Sequence, residues 1–73
     1  MKKLSQKKIA ELINDCFFPG PAKTAAVVLY ANGVRSKDLT VSAMGKQCSV
    51  QDKDNILCAV MNAVRDLEIK DGE

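Results

Sequence analysis

The side chains of this chain best suited to chemistry are cations near its amino end. Cationic nitrogens grouped in this way bind phosphate oxygens or the carboxylates of an acidic protein surface. No aromatic residue is interleaved with the first lysines, so stacking on nucleic-acid bases is not favoured. The candidate residues for contacting a protein or nucleic-acid partner are Lys2, Lys3, Lys7, Lys8, Arg35 and Lys37.

The net charge of +2 hides a separation of charge along the chain. Residues 1–37 contain seven Lys or Arg and two acids, a net charge of +5, whereas residues 38–73 contain four Lys or Arg and seven acids, a net charge of −3. Each half would attract a partner of opposite potential. Lysines in a first helical turn also oppose the helix dipole, by about 0.3 to 1 kcal/mol each. This favours a binding role, and a merely solvated lysine-rich start remains the alternative.

Catalytic groups are scarce in the sequence. Histidine, the side chain most used for proton transfer near neutral pH, does not occur. Gly45-Lys46 approaches a phosphate-binding loop, but Thr40 stands where that motif has glycine and Gln47 where it has Ser or Thr. We therefore expect a protein that is not an enzyme and needs no cofactor.

The cysteines predict free thiols rather than a metal site or a disulfide framework. Cys16, Cys48 and Cys58 form no C-x-x-C pair, and any disulfide would leave one thiol over. A zinc site would need a fourth ligand, and no histidine is available for it. We expect buried or half-buried thiols.

A second candidate interface lies in the last predicted helix. The spacing of Cys58, Met61 and Arg65 places them together at the edge of its apolar face. Met adapts to varied contacts, and Arg is enriched at interfaces. The pattern is also typical of plain core packing, so a homodimer, a contact with another protein and simple packing stay open here.

Two segments have the apolar spacing of amphipathic helices. Residues 4–17 repeat apolar side chains on one face, with Ser5 as the amino-terminal cap. Residues 52–68 do the same, with Asp52 as the cap, and the tail at 70–73 is expected to fray.

The middle of the chain favours strands. Residues 25–31 contain Val27, Val28 and Tyr30, which favour a strand, and residues 39–43 alternate apolar with polar side chains. Asn32-Gly33 between them suits a hairpin turn, and residues 47–50 could add a short strand. The predicted fold is α+β, in the order α-β-β-(β)-α, with a small antiparallel sheet covered by two helices.

The alternative is an all-α bundle in which residues 22–31 and 37–44 are helical. Its support is the alanine content of the first segment, which follows Pro21, a residue suited to a first helical turn. A helical middle would also give a weak helix-turn-helix pattern, with residues 35–44 as the reading helix. Asp38 would then face the DNA, which disfavours that interpretation.

Length and composition predict the general class. The 73 residues suit a single domain spanning 1–73, and the longest apolar run, at 25–31, is far too short to span a membrane. No signal peptide pattern is present, so we expect a cytoplasmic location. The expected function is that of a small interaction protein, an adaptor, inhibitor or regulator of bacterial or phage type. It would dock on a larger protein or nucleoprotein through a charged face, and the alternative is a nucleic-acid-binding regulator that uses the basic half.

Overall fold

The computed structural model describes residues 4–16 and 20–72. Helices cover 74% of these residues, and none of them forms a strand. The α+β prediction, with its antiparallel sheet, is therefore wrong, and the all-α alternative is confirmed. The elements in chain order are α1 (Gln6–Asn14), α2 (Gly20–Ala31), a 3₁₀ helix (Ser36–Leu39), α3 (Val41–Met44) and α4 (Lys53–Gly72).

The packing of α2 against α4 forms the frame of the molecule. Both helices begin near Cys16, whose thiol lies 3.9 Å from the Pro21 carbonyl oxygen and lines a cleft beside the start of α4. Both end at a hydrogen bond that the Tyr30 hydroxyl donates to Asp71. The two helices therefore run in the same direction. The buried side of α2 is mostly alanine, which lets the two backbones approach closely.

One apolar cluster joins all five elements. Helix α1 buries Ile9 and Ile13, the 3₁₀ helix buries Leu39, and α3 buries Met44. Each large aliphatic side chain buried in this way contributes about 1.5 to 3 kcal/mol. The contributions of α2 and α4 to the cluster are Ala22, Ala25, Ala26, Leu29, Ile56, Leu57, Val60 and Val64.

Residues 25–31, predicted as a strand, belong to α2. The buried positions at 22, 25, 26 and 29 follow helical spacing, and Pro21 lies in the first turn. The prediction was wrong because Val27 and Val28, which favour strands, lie on the outer side of the helix, where they are 55% and 40% exposed. Because these two outward side chains are apolar, the sequence does not show the helical spacing of the buried residues.

Asn32-Gly33 ends α2 instead of turning a hairpin. Gly33 has φ of 86°, and its N–H donates to the Tyr30 carbonyl at 3.1 Å. The Val34 N–H donates to the Leu29 carbonyl at 3.0 Å, which completes a Schellman motif. A positive φ occurs at helix ends as well as in hairpin turns. The positive φ was therefore predicted correctly, but it ends a helix instead of forming a hairpin.

The predicted strands at 39–43 and 47–50 are wrong for a local reason. Thr40 is extended, and its Oγ1 accepts the Ala43 N–H at 3.1 Å, so it caps α3. The Cys48 N–H donates to the Met44 carbonyl at 3.0 Å and continues a turn. The extended Thr40 also divides the segment proposed as a DNA-reading helix into a 3₁₀ helix and a single α-turn.

The terminal helices match the sequence more closely. Ser5 caps α1, since its Oγ accepts the Lys8 N–H at 3.2 Å. Phe17, at the end of the predicted helix, lies outside the described residues. Helix α4 continues to Gly72, beyond its predicted end at residue 68, and the Tyr30 hydroxyl donates to Asp71 in its last turn. The fraying expected for 70–73 stays a prediction. In the two described ranges, no helix combines the length and apolar character needed to cross a membrane.

Candidate basic docking surface

The amino end of α1 presents two lysines to solvent. Lys7 and Lys8 are exposed in its first turn, which contains no acid. The Lys8 ammonium lies 3.7 Å from a Glu11 carboxylate oxygen, an ion pair that is more than half exposed on both sides. Exposed pairs of this kind contribute little and compete poorly with a partner. Lys7 makes no ion pair with any described residue.

Lys7 lines a cleft between α1 and the turn that follows α3. The Gln47 amide nitrogen donates to the Gln6 side-chain oxygen at 3.3 Å across this cleft. Nearby, the Ser49 N–H donates to the Asn14 side chain at 2.9 Å. The cleft has a volume of about 430 Å³. These bonds hold the turn against α1 and place Lys7 at the boundary of the two elements.

Lys37 reaches the same end of α1 from a different element. It lies on the 3₁₀ helix, is exposed, and lines a second cleft with Leu4, Gln6 and Ile9 of the amino-terminal segment. Asp38 of the 3₁₀ helix and Ala43 and Met44 of α3 also line this cleft. Gln6 borders both clefts, so Lys7 and Lys37 both lie near this residue.

Lys46 joins this group, although sequence reasoning did not include it. It is exposed and directly precedes Gln47, whose side chain bonds to Gln6. The sequence shows a basic residue in the Gly45-Lys46 turn, but it does not show that the fold brings this turn to α1. We call Lys7, Lys37 and Lys46 the amino-end basic surface. Lys2 and Lys3, predicted to belong to the binding face, lie outside the described residues.

Arg35 lies in a different environment. Its guanidinium carbon is 4.0 Å from the centre of the Tyr30 ring, a cation–π contact. Its Nη1 donates to the carbonyls of Tyr30 and Val34 at 3.2 and 3.1 Å. Asp38 accepts the Arg35 backbone N–H at 3.0 Å. The half-buried Arg35 side chain thus holds the end of α2 in place and is not part of the amino-end basic surface.

The second predicted interface lies on α4. Cys58 and Arg65 are exposed and Met61 is half-buried, so the three lie together at the edge of the buried face. They lie on a different element from each lysine of the amino-end basic surface, and Cys58 lines a cleft with Cys16, which follows α1. The spacing argument for this group depends only on the helix, which the structure contains.

The thiols differ in their accessibility. Burial raises the pKa of Cys16, and the negative charge of Asp15 raises it further. Burial also raises the pKa of Cys48, although the Lys53 ammonium lowers it by a smaller amount. Both thiols therefore stay protonated near neutral pH, while Cys58 is exposed. A protonated, buried thiol is a poor nucleophile.

Two other clefts lie beside α4. One of about 620 Å³ lies beside its first half and is lined by Cys16, Asp52, Asn55 and Cys58 among others. Another lies between α2 and α4 and is lined by Val27, Ala63 and Leu67 among others. Among the described residues, no group of three or more His, Cys, Asp or Glu side chains could hold a metal ion.

The comparisons with known proteins bring no relative to this fold: no family model, no curated protein and no solved structure matches the chain.

Proposed function

We propose that this chain is a small, non-enzymatic interaction protein that docks on an acidic region of a larger protein or nucleoprotein. The observation that carries the proposal is that Lys7, Lys37 and Lys46, from three separate segments of the chain, all lie near Gln6 of α1. Lys7 follows Gln6 in the sequence, whereas the fold brings Lys37 and the Lys46-Gln47 turn to it. As an adaptor, inhibitor or regulator, the protein would act by bridging or by occlusion.

The charges at this surface support an external partner. None of its three lysines makes an ion pair within residues 4–16 and 20–72. Their positive potential adds to that of the α1 amino end. Unpaired cations of this kind attract an acidic partner during diffusion and set its orientation.

Apolar contact is available beside the cations. Val41 on α3 is 44% exposed, and its neighbours Ala43 and Met44 line the Lys37 cleft. Buried apolar side chains supply most of the affinity of an interface, whereas charges at its rim supply rate and specificity. We therefore place Val41 as the apolar contact and the three lysines as the charged rim of one docking surface.

A matched pair of variants tests this proposal. The first replaces Lys7, Lys37 and Lys46 with Gln, and the second replaces Lys23 and Lys70 with Gln. The second pair lies on α2 and α4 and belongs to neither candidate interface. Each protein serves as bait in a lysate of the native host, with quantitative mass spectrometry of what is retained.

We expect a stoichiometric partner that the parent and the α2/α4 variant retain and that the amino-end variant loses. A partner retained equally by both variants would place the docking surface elsewhere. If no stoichiometric protein is retained by the parent, the proposed function is wrong. Unchanged circular dichroism spectra would show that both variants fold.

The second candidate function is a nucleic-acid-binding regulator, which the same lysines favour through phosphate contacts. A fluorescence titration with a 20-base-pair duplex and a 20-nucleotide single strand separates the two. Three phosphate contacts predict that the logarithm of affinity falls with the logarithm of salt concentration, with a slope of about −2.7 for the duplex and about −2 for the single strand. Binding weaker than about 0.1 mM at physiological salt is no better than non-specific binding and would exclude this function.

The chemistry of the described residues is consistent with binding rather than catalysis. The sequence has no histidine, and the pKa values of the buried thiols Cys16 and Cys48 are raised, which disfavours their reactive thiolate forms. We propose that the protein is not an enzyme. A cytoplasmic location and a bacterial or phage origin remain predictions from the sequence, which fractionation of the native host would test.

A further inference from the structure

The exposed side of α4 carries a stripe of four residues with a symmetric spacing. Asp54, Cys58, Met61 and Arg65 follow one another at intervals of four, three and four positions. Residues at these intervals lie on one face of a helix. Asp54, Cys58 and Arg65 are exposed and Met61 is half-buried. The stripe therefore begins with an acid and ends with a base, with two apolar residues between them, over about 17 Å of helix.

We propose that this stripe pairs with the same stripe of a second copy of the chain, with the two α4 helices antiparallel. A twofold axis passing between Ala59 and Val60 brings Asp54 of one copy opposite Arg65 of the other. The same axis brings Cys58 opposite Met61 of the second copy. Each contact occurs twice, as a twofold interface requires.

The charges determine the direction of pairing. In a parallel pair, Asp54 would face Asp54 and Arg65 would face Arg65, and both contacts repel. In the antiparallel pair, both contacts attract, and the apolar residues remain at the centre. Ile69, which is 56% exposed one turn beyond Arg65, would widen the apolar contact. Charge complementarity therefore selects a second copy in this orientation.

The size of the stripe predicts a weak dimer. Its area is smaller than the roughly 1,600 Å² of a standard protein interface. We expect dissociation constants between about 10 µM and 1 mM, so that the dimer forms at high local concentration. The proposal does not depend on the amino-end basic surface, which lies on other elements of the fold.

Charge reversal tests the pairing through sedimentation equilibrium. Arg65→Asp creates two like-charge contacts in the dimer and should raise its dissociation constant by about tenfold. Asp54→Arg should do the same. The double variant Asp54→Arg/Arg65→Asp exchanges the charges, restores attraction and should return the constant to within about threefold of the parent. Asp66→Arg, exposed on α4 but outside the stripe, is the control and should change it little.

A parent chain that remains monomeric at about 1 mM would overturn the proposal. Dimerisation that the single reversals leave unchanged, or that the double variant fails to restore, would overturn it too. Circular dichroism of each variant identifies any loss of fold. Asp54→Arg places a cation in the first turn of α4 and is the variant most in need of that check.

Cross-linking gives a second, geometric test. In Met61→Cys, oxidised glutathione should produce an intermolecular disulfide between Cys58 and the introduced thiol of the other copy, with glutathione reduced in return. Peptide mapping would identify the linked positions. A parent chain that forms a Cys58–Cys58 disulfide as readily would indicate a parallel pair and contradict the antiparallel arrangement.

Discussion

Glu68, near the end of α4, accepts two hydrogen bonds from Ser36 at the start of the 3₁₀ helix. Its Oε1 receives the Ser36 N–H at 3.1 Å, and its Oε2 receives the Ser36 hydroxyl at 2.9 Å. The carboxylate thereby satisfies a free N–H at the helix start and fixes the loop that follows α2. Lys37, which directly follows Ser36, takes its position at the α1 cleft from this loop.

Removing the Glu68 carboxylate should loosen this connection. We expect Glu68→Ala to lower the free energy of unfolding by about 1 to 2 kcal/mol, because hydrogen bonds to a half-buried charged group are lost. The control is Asp66→Ala, which removes an exposed carboxylate from the same helix. Its free energy of unfolding should stay within about 0.5 kcal/mol of the parent value. Urea unfolding followed by circular dichroism measures both. Equal effects of the two substitutions would contradict the role given to Glu68.

Gly33 provides a test of the helix end that replaced the predicted hairpin. Its φ of 86° lies in the left-handed region, where an L side chain costs about 1 to 2 kcal/mol. We expect Gly33→Ala to lower the free energy of unfolding by that amount. No atom lies within 4 Å of the added methyl group, so strain in the backbone would be the cause.

Gly20→Ala is the matched control for Gly33. It also has open space around the added methyl group and has no positive φ. Alanine favours helix over glycine, but a Cβ directly before Pro21 disfavours the helical conformation, so we expect little net change. A Gly33→Ala protein as stable as the Gly20→Ala protein would show that the Schellman motif does not need glycine.

The buried thiols predict a loss of stability in alkali. The pKa values of Cys16 and Cys48 are raised in the folded state, mainly by burial, from an ordinary value of 9.0. The unfolded chain therefore loses these protons first as the pH rises, and deprotonation favours unfolding. Stability from this source is complete below the ordinary pKa and should decline as the pH passes above it. Urea unfolding between pH 7 and about pH 10 would show the decline.

Alanine variants identify the groups responsible. Cys16→Ala/Cys48→Ala should have a flatter dependence on alkaline pH than the parent. In the native state, a disulfide reagent should react with Cys58 well before the other two thiols. Rapid reaction of all three would show that Cys16 and Cys48 are not protected. Tyr30 adds to the decline at higher pH, because its hydrogen bond to Asp71 raises the pKa of its hydroxyl.

The sequence predicted those elements whose evidence is local. Ser5 caps α1 as its residue type suggests, and Val60 is fully buried at the centre of the apolar side of α4. The middle of the chain was misread because Val27 and Val28 are apolar on an outward side, and because Thr40 caps a helix that no periodic pattern marks. Tertiary packing against α4 overrides strand propensity there.

The basic character of the candidate site could be predicted from the sequence, but the full set of its residues could not. Lys7 and Lys37 could be named, because a positive charge follows directly from the residue type. Lys46 joins them because the Gln47–Gln6 and Ser49–Asn14 hydrogen bonds bring a distant turn to α1. Arg35 was named for its charge, yet its nitrogen is bound to the Tyr30 and Val34 carbonyls. Contacts between distant segments place Lys46, whereas the position of Arg35 depends on how α2 ends, because its bonded carbonyls lie one and five positions away in the sequence.

The two lysines in the first turn of α1 should contribute nothing to folding. In Lys7→Gln/Lys8→Gln, relief of unfavourable charge near the helix start is worth about 0.3 to 1 kcal/mol per lysine. Loss of the exposed Lys8–Glu11 pair removes about 0.2 to 0.5 kcal/mol. We therefore expect unchanged or slightly raised stability in urea unfolding.

The matching variant Lys7→Glu/Lys8→Glu sharpens this prediction, because it should raise the free energy of unfolding further at low salt and lose that gain at high salt. Partner binding by the native-host assay should fall in both variants, since Lys7 belongs to the amino-end basic surface. A fall in stability of more than about 1 kcal/mol in the Gln variant would show that the lysines support the fold. Lysines that lower stability and raise binding are the arrangement expected of a surface selected for its partner.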